Sequence, residues 1–364
     1  MNMKEKFGLY IHIPYCESKC GYCDFTSYTD QMHTIPEYLQ ALVKEARYYH
    51  GCVVDTVYIG GGTPSCLRSG DIFNLMTALQ KEIEICKDAE ISIEANPNSL
   101  SREKAEEFWA AGINRLSIGL QTVQPDLLKR IGRTHIYADF QNALENAVKA
   151  GFSNISADLM YSLPGECAQQ AIKSAQAIVQ LPLMHISAYA LRLERGTPLY
   201  GAEQPDEMQD REMFYGMKQV FEEAGFMRYE ISNFAKEGYC CKHNLKYWRE
   251  QEYIGLGVAA HSYYQGYRYG NTASISGYIH KIYAGQTAEV QCEKADKQLE
   301  TIMLKTRLCE GIPLADLPQT KTMQNFLQML EQHALAKRVE NALVLTERGM
   351  DIHNTIVLEL LKCI

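Results

Sequence analysis

Six times between Gly8 and Ala224 an apolar, β-prone run is followed by a helical pattern. No other feature of the chain limits its fold as much. The runs are Gly8–Ile13, Thr56–Ile59, Ile91–Ala95, Arg115–Ile118, Ile155–Leu159 and His185–Ala190. The helical patterns are Glu37–Tyr49, Gly70–Ile85, Ser101–Ala111, Tyr137–Ala150, Ala168–Val179 and Asp206–Ala224. Strands joined through helices by short links form a parallel sheet covered by those helices. Six units are too few for a closed eight-stranded barrel. The pattern therefore predicts an α/β fold built on an open, partial (β/α)6 barrel over residues 1–230.

Beyond Tyr229 the alternation stops. Residues 231–294 are expected to connect and close the barrel, with loops and short strands rich in Tyr, Gly and His as far as Tyr269. Residues 295–364 predict a small α/β or winged-helix-like domain. It would have helices at Lys297–Arg307 and Thr322–Glu331, a hairpin within Ala336–Leu345 and a last helix to Leu361.

In open parallel sheets, ligands gather at the carboxyl ends of the strands. The residues that carry chemistry fall there. The run HIPYCESKCGYCDF after the first strand places Cys16, Cys20 and Cys23 as C-x3-C-x2-C. Three thiolates on one loop can hold three irons of a cubane, whereas such clusters normally take four cysteines. The fourth iron is then open to a small molecule, and an open position separates reactive from structural metal sites. Three buried free thiols are the alternative, but Lys19, Gly21 and Asp24 between and after them do not fit a core segment.

Gly60-Gly61-Gly62-Thr63-Pro64 follows the second strand. It reads as a plain tight turn or as a backbone cradle for an anionic group. Glu94 ends the third strand, as a solvated charge or as a ligand for an ammonium group or ribose hydroxyls. Gln121 and Asp158 stand at the ends of strands four and five. Further on, Cys241-Lys242-His243-Asn244-Leu245-Lys246-Tyr247-Trp248 joins a thiol, an imidazole and large aromatics. Imidazole and thiolate are axial ligands of heme iron, and aromatics give flat contact to a macrocycle. An aromatic loop closing the barrel mouth is the alternative. His261 is either a second heme contact or a packed histidine. The scattered cysteines at 52, 66, 86, 167, 292, 309 and 363 read as packing residues.

The cysteine loop, with Tyr10 ahead of it, resembles the radical S-adenosylmethionine superfamily. The phrases YIGGGTPS, IEANPNSL, RLSIGLQT, ISADLMYSLPGE and YEISNFA are similar to the group of oxygen-independent coproporphyrinogen III oxidases and HemW-type heme chaperones. The resemblance runs from about residue 7 to about 265, and more loosely beyond. It implies a [4Fe-4S] cluster on Cys16, Cys20 and Cys23, whose open iron takes the methionyl group of S-adenosylmethionine. It implies cofactor contacts at Tyr10, Gly61, Gly62, Thr63 and Glu94. Gln121, Arg133 and Asp158, and on the same terms Tyr22, match positions that hold a second cofactor molecule in the oxidases. His243, within H-N-x-x-Y-W, is implied in heme binding.

Within that group, two features favour a heme chaperone over an oxidase. Phe25 stands where the oxidases carry a further cysteine, and the first cysteine is already residue 16. The H-N-x-x-Y-W phrase points the same way. The expectation is a protein that binds heme and passes it to an acceptor protein. Its fold would permit cofactor cleavage, with no residue assigned a catalytic role and no coproporphyrinogen oxidase activity expected. The alternative is that oxidase, decarboxylating propionates by radical chemistry. A heme-degrading methyltransferase relative is a third reading, which the CDF and HNLKYW phrases do not favour.

Bulk properties narrow the partners. A net charge of −8 gives no basic footprint for nucleic acid. The start MNMKEKFGLY has no export signal, and no apolar run spans a bilayer. A cytoplasmic location follows, where cysteines serve metals, catalysis or packing. A homodimer and a peripheral membrane contact are compatible with the sequence.

Overall fold

The strand β1 (Lys6–Ile13) buries its later residues on both faces, as a central parallel strand covered by helices must. The computed structural model describes residues 6–364, so the expectation about the first residues, Met1–Glu5, lies outside them. After β1 come α1 (Ile35–Ala46), β2 (Val53–Gly61), α2 (Asp71–Leu79), β3 (Glu84–Ala95), α3 (Arg102–Ala110) and β4 (Arg115–Gln121). Then follow α4 (Pro125–Arg130), α5 (Tyr137–Ala150), β5 (Asn154–Tyr161), α6 (Ala168–Ile178), β6 (His185–Ala190) and α7 (Glu207–Glu223). Local signals set the helix starts. Ser101 accepts from the Lys104 N–H, and Asp206 exchanges bonds with Gln209, satisfying donors that a helix leaves open.

Strands β1 to β6 are parallel and in sequence order, with β1 and β6 at opposite ends of the run. Their outward side chains, among them Leu9, Ile11, Val57, Ile93, Ile118 and Ile155, pack with Tyr38, Leu42, Phe108, Phe140 and Phe221 of the helices. Their inward side chains are polar. Tyr10, Tyr58, Glu94, Arg115, Asp158, His185 and Tyr189 occupy that concave face. Glu94 of β3 and Tyr189 of β6 line one pocket across it, as the curvature of a partial barrel allows.

The sheet does not stop at six strands. After β7 (Met227–Glu230), β8 (Asn233–Ala235) and α8 (Lys242–Trp248) come β9 (Tyr253–Leu256), β10 (His261–Tyr264), β11 (Tyr267–Asn271), α9 (Ile275–Tyr283) and β12 (Glu289–Lys294). β9 pairs in parallel with β1, and the antiparallel β10, β11 and β12 extend that edge. β8 and β7 add to β6. The result is one open sheet of twelve strands, with β12 and β7 at its unpaired ends. Where loops with short strands were expected, residues 231–294 thus build both flanks of the sheet and two helices.

Further on lie α10 (Lys297–Lys305), β13 (Ile312–Pro313), α11 (Lys321–Gln332), β14 (Ala336–Val339), β15 (Ala342–Leu345), α12 (Glu347–Asp351) and α13 (His353–Leu361). Their small antiparallel sheet, in the order β13-β15-β14, and their helices enclose a separate core that includes Ile302, Met323, Leu327, Leu343 and Leu360.

Three expectations change. The helix expected to reach Ile85 ends at Leu79, because Glu84 and Ile85 pair with Val53 and Val54 as the start of β3. Cys167 and Cys292 are exposed rather than packed. His261 is exposed on β10, so it is not a packed histidine.

Candidate cofactor pocket at the open end of the barrel

The cysteine loop is pinned from both sides. The Cys16 N–H donates to Tyr28 O at 3.1 Å, and the Gly21 N–H donates to Ile131 O at 3.0 Å. Ile131 follows α4, a helix the sequence did not announce. It packs with Leu127, Met160, Leu163 and Leu191, and Tyr22 rests against that cluster. A small apolar cluster therefore carries the far side of the loop.

The glycine run closes the near side. Gly61 has φ 110°, a backbone state that favours glycine, and a Cβ there would lie 2.5 Å from the His12 ring. At Gly62 a Cβ would lie 2.6 Å from Tyr15 O and 2.9 Å from Ile13 O, both backbone atoms that cannot swing aside. This closeness lets Gly62 N donate to Ile13 O at 2.9 Å and Thr63 N to Tyr15 O at 2.7 Å. Thr63 Oγ1 in turn lies 3.4 Å from Cys16 Sγ.

Eleven of the thirteen residues named from the sequence line one pocket: Cys16, Cys20, Tyr22, Cys23, Gly61, Gly62, Thr63, Glu94, Gln121, Arg133 and Asp158. Arg133 donates to Gly119 O at 2.9 Å and to Cys20 Sγ at 3.5 Å, placing a fixed positive charge against one thiol. Gln121 adopts φ 67° at a register shift in β4. That is an uncommon state for a residue with a side chain. Its buried Oε1 has no partner, and a buried polar atom left open in a pocket is a place for a ligand donor.

Glu94 accepts from Tyr58 Oη at 3.0 Å and from Gly61 N at 3.1 Å. Burial first, and then the nearby Asp158 charge, push its carboxyl up to about 7, against those hydrogen bonds and the charge of Arg115. Burial likewise raises Asp158, which accepts from Ser117 at 3.0 Å. Two carboxyl groups held away from water favour a cationic partner.

Among the described residues, no three His, Cys, Asp or Glu converge on a single point as for one metal ion. A cubane does not need them to, since each cysteine binds a different iron. All three cysteines are free thiols at the pocket. The three thiols, the glycine cradle and the open Gln121 oxygen fit a [4Fe-4S] cluster and S-adenosylmethionine.

Two named residues are not in the pocket. Tyr10 stacks beside Tyr58 with ring centroids 6.4 Å apart and donates to His12 Nδ1 at 2.9 Å. His12 Nε2 donates to Thr26 O at 2.8 Å, so His12 links Tyr10 to the cysteine loop. His243 lies deeper. It is fully buried on α8 against Thr56, which precedes Gly61 by five positions on β2, about 16 Å at the usual strand rise. Its Nδ1 pairs with Thr56 Oγ1 at 2.9 Å and its Nε2 with Tyr247 Oη at 2.7 Å. Its N–H donates to Glu90 at 3.1 Å, and its ring stacks on Tyr58 with centroids 5.4 Å apart. Burial lowers its pKa to about 3, so the imidazole is neutral. In this structure His243 offers no free nitrogen to a metal, and HNLKYW is a helix inside the barrel rather than a loop at its mouth.

Sequence reasoning missed Tyr189, Ser117 and Asn96, which also line the pocket. The signal was present: in HISAYA, alternate residues His185, Ser187 and Tyr189 share one strand face.

A prediction follows from Glu94. Affinity for S-adenosylmethionine should rise between about pH 6 and about pH 8, by at most about tenfold per pH unit, as Glu94 loses its proton. Glu94→Gln should flatten that profile and weaken binding by about 1–3 kcal/mol, with iron content unchanged. Calorimetric titration at several pH values checks it; a variant with the wild-type profile removes Glu94 from the site.

The Radical SAM superfamily model matches residues 10–178. The heme chaperone HemW of Bacillus subtilis is 35% identical, over 95% of this chain and 97% of the relative. The heme chaperone HemW of Mycobacterium tuberculosis is 34% identical over 98% and 95%. That of Escherichia coli is 35% identical over 84% of each. Among solved structures, the radical SAM enzyme coproporphyrinogen III oxidase (HemN) of E. coli superposes with TM-score 0.86 at 21% identity, over 98% of this chain and 90% of that one. The last likeness is one of fold.

Proposed function

This chain belongs to the HemW heme-chaperone family of the radical S-adenosylmethionine superfamily, and from that premise we propose that it binds heme and hands it to an acceptor protein. The carrying observation is the relation to named heme chaperones along nearly the whole chain, C-terminal domain included. Superfamily membership implies a [4Fe-4S] cluster and S-adenosylmethionine. In the proposed arrangement Cys16, Cys20 and Cys23 hold the cluster, with Gly61, Gly62, Thr63 and Glu94 around the cofactor. Tyr22, Gln121, Arg133 and Asp158 complete the wall. Bound together, the two groups supply one-electron chemistry, and the protein orients them and excludes water.

Phe25 supports the carrier reading over the oxidase. It is 62% exposed beside the cluster loop, where the oxidases resembled by this loop carry a further cysteine. No helix among the described residues is long and apolar enough to cross a membrane. The twelve cysteines are all free, which agrees with transfer in the reducing cytoplasm. The test is a heme titration of the anaerobically reconstituted protein, followed by addition of an apo-hemoprotein. Saturable binding followed by transfer is expected; no saturable binding contradicts the proposal.

A further inference from the structure

Between the barrel and the C-terminal helices lies a cleft of about 610 Å³, a volume typical of cofactor sites. Tyr161 and Phe214, each 9% exposed, supply aromatic edges, Met350 an apolar end, and Arg228 and Arg307 positive charge. Most carboxylate oxygens of the lining are already engaged, the buried Asp210 Oδ1 excepted. Asp351 takes Arg211 and Tyr215, each at 2.8 Å, and Glu207 takes Arg211 at 2.6 Å. Asp210 faces Arg192 at 3.8 Å, and Asp206 caps α7 by accepting from the Gln209 N–H at 2.9 Å.

The two remaining arginines are engaged by none of these lining carboxylates. Among the described residues Arg228 has no carboxylate partner: Nε donates to Glu230 O and Ile231 O at 3.2 and 3.1 Å, and Nη2 to Ile231 O at 2.7 Å. Its guanidinium lies 4.8 Å over the Phe214 ring. Arg307 meets Glu230 Oε2 only at 3.5 Å, and its Nε is buried with no hydrogen-bond partner. It stacks 4.4 Å over Trp248, the last residue of HNLKYW. The phrase read as heme-linked therefore adjoins this cleft through the stacking of its tryptophan on Arg307, while its histidine is sealed in the barrel.

Guanidiniums with donors to spare recognise carboxylates, and aromatic walls take a flat apolar body. We propose that heme seats in this cleft, its macrocycle against Phe214 and Tyr161 and its two propionates at Arg228 and Arg307. The inference rests on the carrier reading above and gives that reading a site.

The test titrates heme and heme dimethyl ester into reconstituted full-length protein, as wild type, Arg228→Gln, Arg307→Gln and the double variant. Wild type should bind the ester about tenfold or more weakly, since charge-assisted hydrogen bonds are lost. Each single variant should lose about tenfold in heme affinity on the same ground, and Arg228→Lys should recover part of it. The double variant should no longer distinguish acid from ester, with iron content and S-adenosylmethionine binding unchanged. Wild type that binds heme and ester alike, or variants that bind heme as wild type does, overturn the cleft while leaving the carrier reading standing. Wild type with no saturable heme binding overturns both. If Arg228→Gln does not fold, the ester comparison on wild type and Arg307→Gln still decides.

Discussion

Replacing Cys16, Cys20 and Cys23 together by alanine should leave a folded protein that holds no iron or sulfide after reconstitution. The loss is expected to be complete, because all the thiolates of the proposed cluster are removed and no three His, Cys, Asp or Glu converge on one point among the described residues. The fold should survive. The loop is held by backbone bonds, such as Cys16 N–H to Tyr28 O and Gly21 N–H to Ile131 O, which alanine keeps. Its apolar anchor is formed by Leu127, Ile131 and Met160, not by the thiols. S-adenosylmethionine binding should fall with the cluster. Heme binding should persist, since the proposed cleft lies on other segments. Iron and sulfide analysis with circular dichroism checks this; full iron content in a folded triple variant contradicts the cluster assignment.

Gly62→Ala should be nearly as severe, for a different reason. One added methyl group would meet Tyr15 O at 2.6 Å, Ile13 O at 2.9 Å and Tyr15 N at 3.0 Å. All three are backbone atoms of β1 and the start of the cysteine loop, so relief requires moving β1 away from β2. Overpacking of this kind costs about 1–3 kcal/mol, and about 2–4 °C in Tm per kcal/mol for domains of roughly 150–250 residues. The functional loss should exceed the stability loss. The same shift breaks the Gly62 and Thr63 bonds to Ile13 O and Tyr15 O and displaces Cys16 from Thr63. Cluster content and S-adenosylmethionine affinity should drop together in a variant that still unfolds cooperatively. Wild-type cluster content and wild-type Tm would show that the close approach is not needed.

The parallel strands and the pocket at their ends were legible because both depend on local patterns. Apolar, β-prone runs alternating with helical patterns announce β1 to β6, and C-x3-C-x2-C announces a thiolate set whatever surrounds it. The pairing of β9 with β1 was not legible. It joins Tyr253–Leu256 to Gly8–Ile11, far apart in sequence, through a four-residue strand with no alternation of its own. Nor was the fate of His243. A histidine amid Tyr and Trp looks the same in sequence whether its nitrogens face solvent or, as here, Thr56 and Tyr247. The polar lumen was half visible. Arg115, Ser117, Ser187 and Tyr189 follow the strand period of two, yet apart from Tyr10, named through the family resemblance, only Glu94 and Asp158 stood out, because carboxylates near strand ends draw attention and hydroxyls do not. The conformation of Gln121 depends on a register shift in β4 that the sequence does not mark.

The account's central claim is that a radical S-adenosylmethionine scaffold here carries heme rather than making its precursor. One anaerobically reconstituted preparation, divided between a heme titration and a coproporphyrinogen III turnover assay with S-adenosylmethionine and reductant, tests it most directly. The account predicts saturable heme binding, release to an apo-hemoprotein and no protoporphyrinogen IX. Conversion of coproporphyrinogen III at enzymatic rates, with no saturable heme binding, would contradict it.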